Sequence, residues 1–312
     1  MRLMPNYHLS PQASQRFLAL GRDVSTNAQT FDTLARRFDG KVLIPYYQGQ
    51  DATLDRIDKR GNACHALVAE WLRLCGSGST ERAISSWLYD VDDDDARTDR
   101  IGRFMRAQHL VMANEQHRWL AARDMADQPF GDEMGRADLR AAFASLRADP
   151  RHASMQAGRP VSPARFDAMS EDAKNDTQWS FGKFARLRQL EFSTFQASYR
   201  MGTLLIRNFD TTPVVARGAV ISQFIKSAAS EWGAGTAVVI HMIGGGKSGH
   251  AVGMLYKSDI VYFFDPNRGV FCWKGYDKQT KLLGFKSFFS RMADMMDYHK
   301  YSLIILNSYT PV

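Results

Sequence analysis

Cys64 is the side chain of this sequence with the clearest capacity for nucleophilic chemistry. It lies in the segment GNACHALVAEWL, where apolar residues recur at helical spacing and the preceding Asn62 is a residue type that often caps helices. This pattern predicts that Cys64 lies in the first turn of a helix. Unpaired N–H groups and the positive end of the helix dipole stabilise a thiolate there, and a thiolate beside an imidazole attacks carbonyl carbon. The competing interpretation is a small buried core residue.

A histidine and an aspartate in the last quarter of the chain could complete such a site. His250 and Asp265 lie in two short strand-like runs, which we expect to form a hairpin closed at Lys257–Ser258. In that register the two residues are directly opposed on one face, with Cβ atoms about 4.5–5.5 Å apart. A four-residue loop would preserve the pairing, whereas a loop of odd length would move the carboxylate away from it. The carboxylate would then hold one ring nitrogen and leave the other for a thiol.

Each of these residues also has an ordinary structural interpretation. His250 alone is typical of an edge-strand histidine with a satisfied hydrogen bond, and Asp265 begins a segment, DPNRG, that is typical of a turn. Together with Cys64 they supply a nucleophile, a base and a carboxylate that orients the base. That combination is much rarer than its parts.

The elements that must position these residues form an α+β pattern. A strand over Lys41–Gln48 and the Cys64 helix come first, a mainly helical block covers about 80–232, and strands dominate about 233–312. The predicted helices of the block are Thr80–Tyr89, Arg97–Met125, Arg136–Arg147, Trp179–Arg207 and Pro213–Trp232. The later runs predict strands at Thr236–Ile243, Gly249–Tyr256, Asp259–Asp265, Gly269–Lys274 and Tyr301–Tyr309, with a helix at Leu282–Met296.

Three sequence blocks resemble the motif blocks of the YopT/AvrPphB-type bacterial effector cysteine proteases. They are GNACHALVAEWL around Cys64, SGHAVGMLY around His250 and VYFFDPNRGVF around Asp265. The resemblance implies a papain-like fold, delivery into host cells and cleavage of specific host proteins. It assigns the nucleophile to Cys64, the general base to His250 and the orienting role to Asp265.

The resemblance also implies a domain plan. An N-terminal extension over 1–40 would precede a papain-like catalytic domain over 41–312. That domain would contain a helical insertion over about 80–232, longer than the family leads us to expect, and a sheet subdomain over about 233–312.

The resemblance implies an acyl-enzyme on Cys64, with the oxyanion held partly by backbone N–H groups at the helix start. Asn62 is the nearby amide that could donate from a side chain, although capping the helix is an equally good role for it. Asp58 and Lys59 stand where papain-like enzymes place an amide. Asn62 is therefore our candidate for the oxyanion hole.

Composition restricts the class of protein and its compartment. The 312 residues carry 40 Lys and Arg against 33 Asp and Glu, a net charge of +7 too dispersed to indicate nucleic-acid binding. No apolar run approaches the roughly 20 residues that a membrane span needs, and the first residues lack the apolar core of a secretion signal. Three cysteines favour a reducing environment. We expect secretion or translocation into the host cytosol by a route independent of a signal peptide.

Cofactors are not expected, and one basic stripe could bind a partner. The glycine-rich run Gly244–Ser248 lacks the first glycine of a phosphate loop, and no Cys or His cluster has zinc spacing. Arginines that recur every three residues could contact an anionic membrane or an acidic protein, although a solvated face or pairing with the acidic run Asp90–Asp95 is the plainer interpretation. These arginines are Arg97, Arg100, Arg103 and Arg106.

The sequence thus predicts a cysteine endopeptidase that acts on host proteins. Two alternatives stay open. The same triad could pass its thioester to an amine or attack a side-chain amide, which would make the protein a transglutaminase, an acyltransferase or a deamidase. The chain could instead be a non-catalytic module that binds a membrane or a protein.

Overall fold

The computed structural model describes residues 22–51, 54, 63–76, 87–88, 98–105, 199–207, 214–229, 232–244, 247–275, 277–301 and 303–311, together with 11, 14 and 15. Within these ranges the chain has an α+β fold, as predicted. The strands are β1 (Gly40–Ile44), β2 (Tyr199–Arg207), β3 (Thr236–Gly244), β4 (Lys247–Tyr256), β5 (Ile260–Asp265), β6 (Gly269–Lys274) and β7 (Leu303–Pro311). The helices are α1 (Arg22–Arg36), α2 (Cys64–Gly76), α3 (Val214–Ala229) and α4 (Lys278–Met295), and 3₁₀ turns cover Gln48–Gln50 and Tyr298–Lys300.

The seven described strands form one antiparallel sheet in the order β1-β6-β5-β4-β3-β7-β2. Consecutive hairpins join β3 to β6, and β7 returns to pair with β3. Strand β1 ends at Ile44 because Pro45 cannot donate to a strand ladder, and it lies at the sheet edge as this proline predicts. The sheet thereby carries both strands of the predicted His250–Asp265 hairpin in its interior.

Helix α2 packs directly on β4, the strand that bears His250. Its side chains at helical spacing, Leu67, Val68 and Trp71, are fully buried, and burying each stabilises the fold by about 1.5–3 kcal/mol. The close approach depends on Gly253 of β4, where an added Cβ would lie 2.9 Å from Val68 Cγ1 and 3.2 Å from the Trp71 ring. The helix that begins at Cys64 is therefore held against the strand that carries the imidazole.

The opposite face of the sheet is covered by α1, α3 and α4. Aromatic side chains fill this layer, and Phe263 of β5 lies 5.4 Å from Phe285 of α4 between ring centroids. Helix α4 begins at Lys278 because the carboxylate of Asp277 accepts a hydrogen bond from Thr280 N at 2.7 Å. This helix ends two residues before the 3₁₀ turn that contains Tyr298, so the packing of the helix determines the position of that side chain.

One predicted helix is wrong over its last nine residues. Of the predicted helix Trp179–Arg207, the structure describes Tyr199–Arg207. These nine residues form strand β2, which pairs with β7 at nine consecutive positions. A short apolar run does not distinguish a strand from a buried helix, and the partner lies about a hundred residues further along the chain, so pairing with β7 overrides the local pattern. The predicted helix Pro213–Trp232 is confirmed as α3.

Residues within the predicted N-terminal extension also contribute to the core. Phe31 and Ala35 of α1 are buried, and the Asp32 carboxylate accepts a hydrogen bond from Val42 N at 2.9 Å. The predicted helix Arg136–Arg147 lies outside the described residues. Of the predicted helices Thr80–Tyr89 and Arg97–Met125, the structure describes 87–88 and 98–105, and both segments are helical. The division of the chain into an extension, an insertion and a sheet subdomain stays a prediction. No helix in the described ranges is both long and apolar enough to span a bilayer.

Candidate active site

Cys64 is the first residue of α2, so the predicted first-turn position is confirmed. Leu67 N donates to Ala63 O at 2.9 Å, a hydrogen bond of the first helical turn. The helical cap predicted at Asn62 stays a prediction. The side chain of Asn62, our oxyanion-hole candidate, lies outside the described residues, as do Asp58 and Lys59.

The structure brings His250 and Asp265 together, but not by the predicted register. Tyr256 opposes Val261, Gly253 opposes Phe264, and Lys257 N donates to Ile260 O at 2.8 Å, so the turn is centred on Ser258–Asp259 and not on Lys257–Ser258. The pairing is therefore shifted by two residues along the strands. The expected direct opposition is wrong: His250 is a diagonal neighbour of Asp265. Since side chains alternate with a period of two, a shift of two leaves both residues on the same face.

The imidazole of His250 interacts with both of the other predicted site residues. Its Nε2 lies 3.1 Å from Asp265 Oδ1, and the Cys64 side chain is close enough to the ring to help raise its pKa. Because Asp265 occupies Nε2, the nitrogen left for the thiol is Nδ1. All three residues are nearly excluded from solvent, with Cys64 and His250 each 7% exposed and Asp265 0% exposed.

Electrostatics favour a protonated His250. Burial alone would lower the pKa of the ring. The negative charge and hydrogen bond of Asp265, with a smaller contribution from Cys64, outweigh burial and raise the pKa to about 10. An imidazolium close to Cys64 stabilises the negative charge of a nucleophilic sulfur.

Every oxygen of the Asp265 carboxylate has a donor. Oδ1 accepts from Asn267 N at 2.8 Å in addition to its contact with His250, and Oδ2 accepts from the hydroxyl of Tyr298. Burial would raise the pKa of this carboxyl, but the charge and hydrogen bond of His250, followed by the bonds from Tyr298 and Asn267, lower it below the ordinary value. Asp265 is therefore a buried carboxylate that stays ionised.

The turn after Asp265 is fixed by contacts at both ends. Arg268 N donates to Asp265 O at 2.8 Å, which confirms the turn predicted for DPNRG, and Gly269 has a φ of 106° that favours glycine. From the chain after β1, Gln48 N donates to Pro266 O at 2.7 Å, and Gln48 Nε2 donates to Asn267 Oδ1 at 2.9 Å. These bonds hold the backbone that orients the carboxylate.

Two tyrosines beside the site have no signal in the sequence. Tyr298 donates to Asp265, and Tyr301 lies 6.2 Å from Tyr298 between ring centroids. Burial, followed by the charges of Cys64 and Asp265, raises the pKa of Tyr301 to about 12. Both residues lie between the last helix and the last strand, where no motif or period indicates a role. A contact with Asp265 is visible only in three dimensions.

The basic stripe engages carboxylates of the same chain where the structure describes it. Arg100 Nε lies 2.8 Å from Oε1 of Glu70, a buried carboxylate of α2 that also binds Arg73. Arg103 lies 3.3 Å from Asp99. Arg97, Arg106 and the acidic run Asp90–Asp95 lie outside the described residues. Binding of a membrane or an acidic protein by this stripe stays a prediction.

The described residues offer no group of three or more Cys, His, Asp or Glu side chains that could hold a metal ion. The three cysteines, Cys64, Cys75 and Cys272, are buried and none of them is in a disulfide. The thiol of Cys64 is thus available for chemistry.

Neither a protein-family model nor a curated protein matches the chain. Solved structures similar to it include the Pseudomonas avirulence protein AvrPphB, with a TM-score of 0.43 and 12% identity over 82% of this chain and 95% of that one. Another is PatoxP, a cysteine protease-like domain of the Photorhabdus asymbiotica toxin PaTox, with a TM-score of 0.21 and 12% identity over 91% of this chain and 88% of that one. At TM-scores below 0.5, the function rests on the residues of the site itself.

Proposed function

We propose that the chain is a cysteine endopeptidase in which Cys64, His250 and Asp265 act as one catalytic unit. The observation that carries the proposal is the buried His250, whose Nε2 lies 3.1 Å from the buried Asp265 carboxylate and whose pKa is raised in part by the nearby Cys64. A nucleophile, a base and a group that orients the base are the three parts that acyl transfer needs. Each comes from a different element: the start of α2, strand β4 and the end of β5.

The first half of the reaction forms an acyl-enzyme. Before the attack the proton of the Cys64–His250 pair resides on the imidazole, and the sulfur attacks the carbonyl carbon of the substrate. Asp265 stabilises the resulting imidazolium through Nε2 and keeps the other nitrogen directed at the sulfur. When the tetrahedral intermediate collapses, the C–N bond breaks and His250 returns a proton to the leaving amine. The acyl group then remains on Cys64 as a thioester.

The second half releases the product. His250 takes a proton from water, the hydroxide attacks the thioester carbon, and the C–S bond breaks to give a carboxylic acid and the Cys64 thiolate, paired again with protonated His250. Backbone N–H groups at the start of α2 can hold the oxyanion in both halves, because the first turn of a helix has no internal partners for them. Asn62 is proposed as the side-chain donor.

The substrates are proposed to be specific proteins of a host cell, reached after secretion or translocation without a signal peptide. The three motif blocks that resemble effector proteases support this part of the proposal. The free thiols agree with a reducing destination such as the host cytosol.

The test is a comparison of new protein N-termini in host-cell lysate. Wild type, Cys64→Ala and the matched control Cys75→Ala are each added to lysate, and N-termini are mapped by mass spectrometry. Cys75 lies in the same helix and is buried, so its substitution controls for removal of a thiol. We expect one set of new N-termini with wild type and Cys75→Ala that is absent with Cys64→Ala. Identical sets with all three proteins would refute the proposal.

The same samples distinguish hydrolysis of the peptide bond from the other reactions of a thioester. Deamidation would convert Gln to Glu without a new N-terminus, and acyl transfer would join an amine to a Gln side chain. Either product, dependent on Cys64, would replace the endopeptidase proposal with the corresponding alternative. A cellular effect that survives in Cys64→Ala would instead indicate a non-catalytic binding module.

A further inference from the structure

Tyr298 lies in the 3₁₀ turn that connects α4 with β7. The preceding residue, Asp297, has a φ of 57°, an unusual conformation for a residue other than glycine, and Lys300 N donates to its carbonyl at 3.0 Å. Tyr301 N donates to Tyr298 O at 3.1 Å. This hydrogen-bonded turn directs the Tyr298 side chain inward, where it is 3% exposed.

Inside the fold, Tyr298 contacts two members of the proposed catalytic unit. Its hydroxyl donates to Asp265 Oδ2, the oxygen that His250 does not use. Its ring lies 5.5 Å from the imidazole of His250 between centroids, at an angle of 41°. Tyr298 therefore covers the histidine and completes the hydrogen bonds of the carboxylate.

The groups around Tyr298 keep it protonated. Burial, followed by the charge and hydrogen bond of Asp265, raises its pKa well above the ordinary value, and Arg268 opposes this only in part. Tyr301 also faces it and adds to the rise. The phenol thus remains a hydrogen-bond donor over the whole range in which a protein of this kind works.

We infer that Tyr298 is a positioning residue, whose hydroxyl holds Oδ2 of Asp265 so that Oδ1 faces His250. This inference rests on the proposed endopeptidase function. The reason is geometric: the carboxyl group of Asp265 can rotate about its Cβ–Cγ bond, and the hydrogen bond from Tyr298 to Oδ2 prevents that rotation. Tyr298 acts on catalysis only through Asp265.

Loss of this hydroxyl has a specific consequence for pH dependence. In Tyr298→Phe the ring is kept, but a fully buried carboxylate loses one donor, so burial is less opposed and the pKa of Asp265 rises. Protonated Asp265 no longer stabilises an imidazolium. Activity should therefore fall most at acidic pH, where the neutral form of Asp265 becomes populated.

The experiment is a double-mutant cycle of Tyr298→Phe and Asp265→Ala, with Tyr262→Phe on β5 as the matched control. Cleavage of a substrate from the lysate is measured between about pH 5 and 8. For Tyr298→Phe we expect kcat about tenfold lower with KM nearly unchanged, and an acidic limb about one pH unit higher. In the Asp265→Ala background, Tyr298→Phe should have no further effect. Tyr262→Phe should resemble wild type.

An equal fall in both backgrounds, a change in KM alone, or no change would overturn the inference. The rate at which iodoacetamide alkylates Cys64 is measured on the same variants, because it requires no substrate. If Cys64→Ala cleaves as well as wild type, the endopeptidase proposal fails, and alkylation then decides the role of Tyr298. The positioning role is supported if Tyr298→Phe slows alkylation of Cys64 in the wild-type background but not in the Asp265→Ala background. Equal alkylation rates in wild type and Tyr298→Phe contradict it.

Discussion

His250 Nε2 lies 3.1 Å from Asp265 Oδ1, although the two residues are diagonal neighbours two positions out of register across the β4–β5 hairpin. Diagonal Cβ atoms are about 7–8 Å apart, a distance that a histidine and an aspartate span with their side chains. The arrangement leaves Nδ1 of the ring for Cys64. A sequence separation of fifteen residues thus places a base and its orienting carboxylate in one hairpin.

The first prediction concerns the reactivity of the three thiols. We expect iodoacetamide to label Cys64 well before Cys75 or Cys272 at about pH 6–7, because Cys64 lies beside the imidazolium of His250. Burial raises the pKa of Cys75 to about 12, so that thiol is almost un-ionised there. Peptide mapping after brief labelling measures the order. Equal labelling of the three would contradict an activated Cys64.

The second prediction is a shift of the alkaline limit of cleavage in Asp265→Asn. The aspartate charge raises the pKa of His250 to about 10, and the amide removes that charge. The imidazolium of the variant should therefore lose its proton at lower pH, closer to the ordinary value of about 6.5. A pH profile of kcat/KM measures this limit. An unchanged alkaline limit would show that Asp265 does not control the ring.

The third prediction concerns the free energy of unfolding of wild type and Asp265→Asn as a function of pH. The raised pKa of His250 gives a stabilisation that is complete below about pH 6.5 and is lost as pH rises through about 10. The lowered pKa of Asp265 gives a stabilisation that is present above its ordinary value of about 4 and is lost as pH falls further. The two proteins should thus differ most between about pH 4 and 6.5, by about 3–5 kcal/mol.

Urea unfolding at several pH values measures this difference. Asp277→Asn is the control, because Asp277 caps α4 at the surface and has no histidine partner among the groups that shift its pKa. Its effect should not change between about pH 6.5 and 10. A difference for Asp265→Asn that stays constant over the same range would count against a charged His250–Asp265 pair.

The fourth prediction tests the packing that positions the nucleophile. In Gly253→Ala the new methyl group would lie 2.9 Å from Val68 Cγ1, so α2 must move away from β4. We expect a loss of about 1–3 kcal/mol in stability and a fall in kcat of up to about 100-fold, because Cys64 and His250 separate. Gly233→Ala, where the nearest atom is 3.8 Å away, is the control and should change neither quantity. Full activity in Gly253→Ala would contradict this role of the packing.

The sequence predicts the elements of the site well where the signal is local. The start of a helix at Cys64, the two strands around His250 and Asp265, and the turn after Asp265 each follow from spacing and turn residues within about a dozen positions. The exact register does not, because the turn is centred on Ser258–Asp259, one position later than the predicted Lys257–Ser258. Because the pairing is shifted by two residues, His250 and Asp265 still lie on the same face of the sheet.

Features that depend on distant partners escape local reasoning. Strand β2 is a strand because it pairs with β7 at the other end of the chain. Tyr298 contacts Asp265 only because α4 and its turn fold back onto the sheet. Gln48 reaches the turn after Asp265 from a position more than two hundred residues earlier. In each case tertiary packing, not propensity, determines the contact.

The most direct measurement of the central claim is acylation of Cys64 by a small acyl donor. Wild type, His250→Ala and Cys64→Ala are mixed with 4-nitrophenyl acetate, nitrophenolate release is followed, and the acetylated residue is located by mass spectrometry. We expect a rapid burst with acetyl on Cys64 in wild type, a much slower burst in His250→Ala and none in Cys64→Ala. A burst of the same size and rate in all three proteins would contradict this expectation.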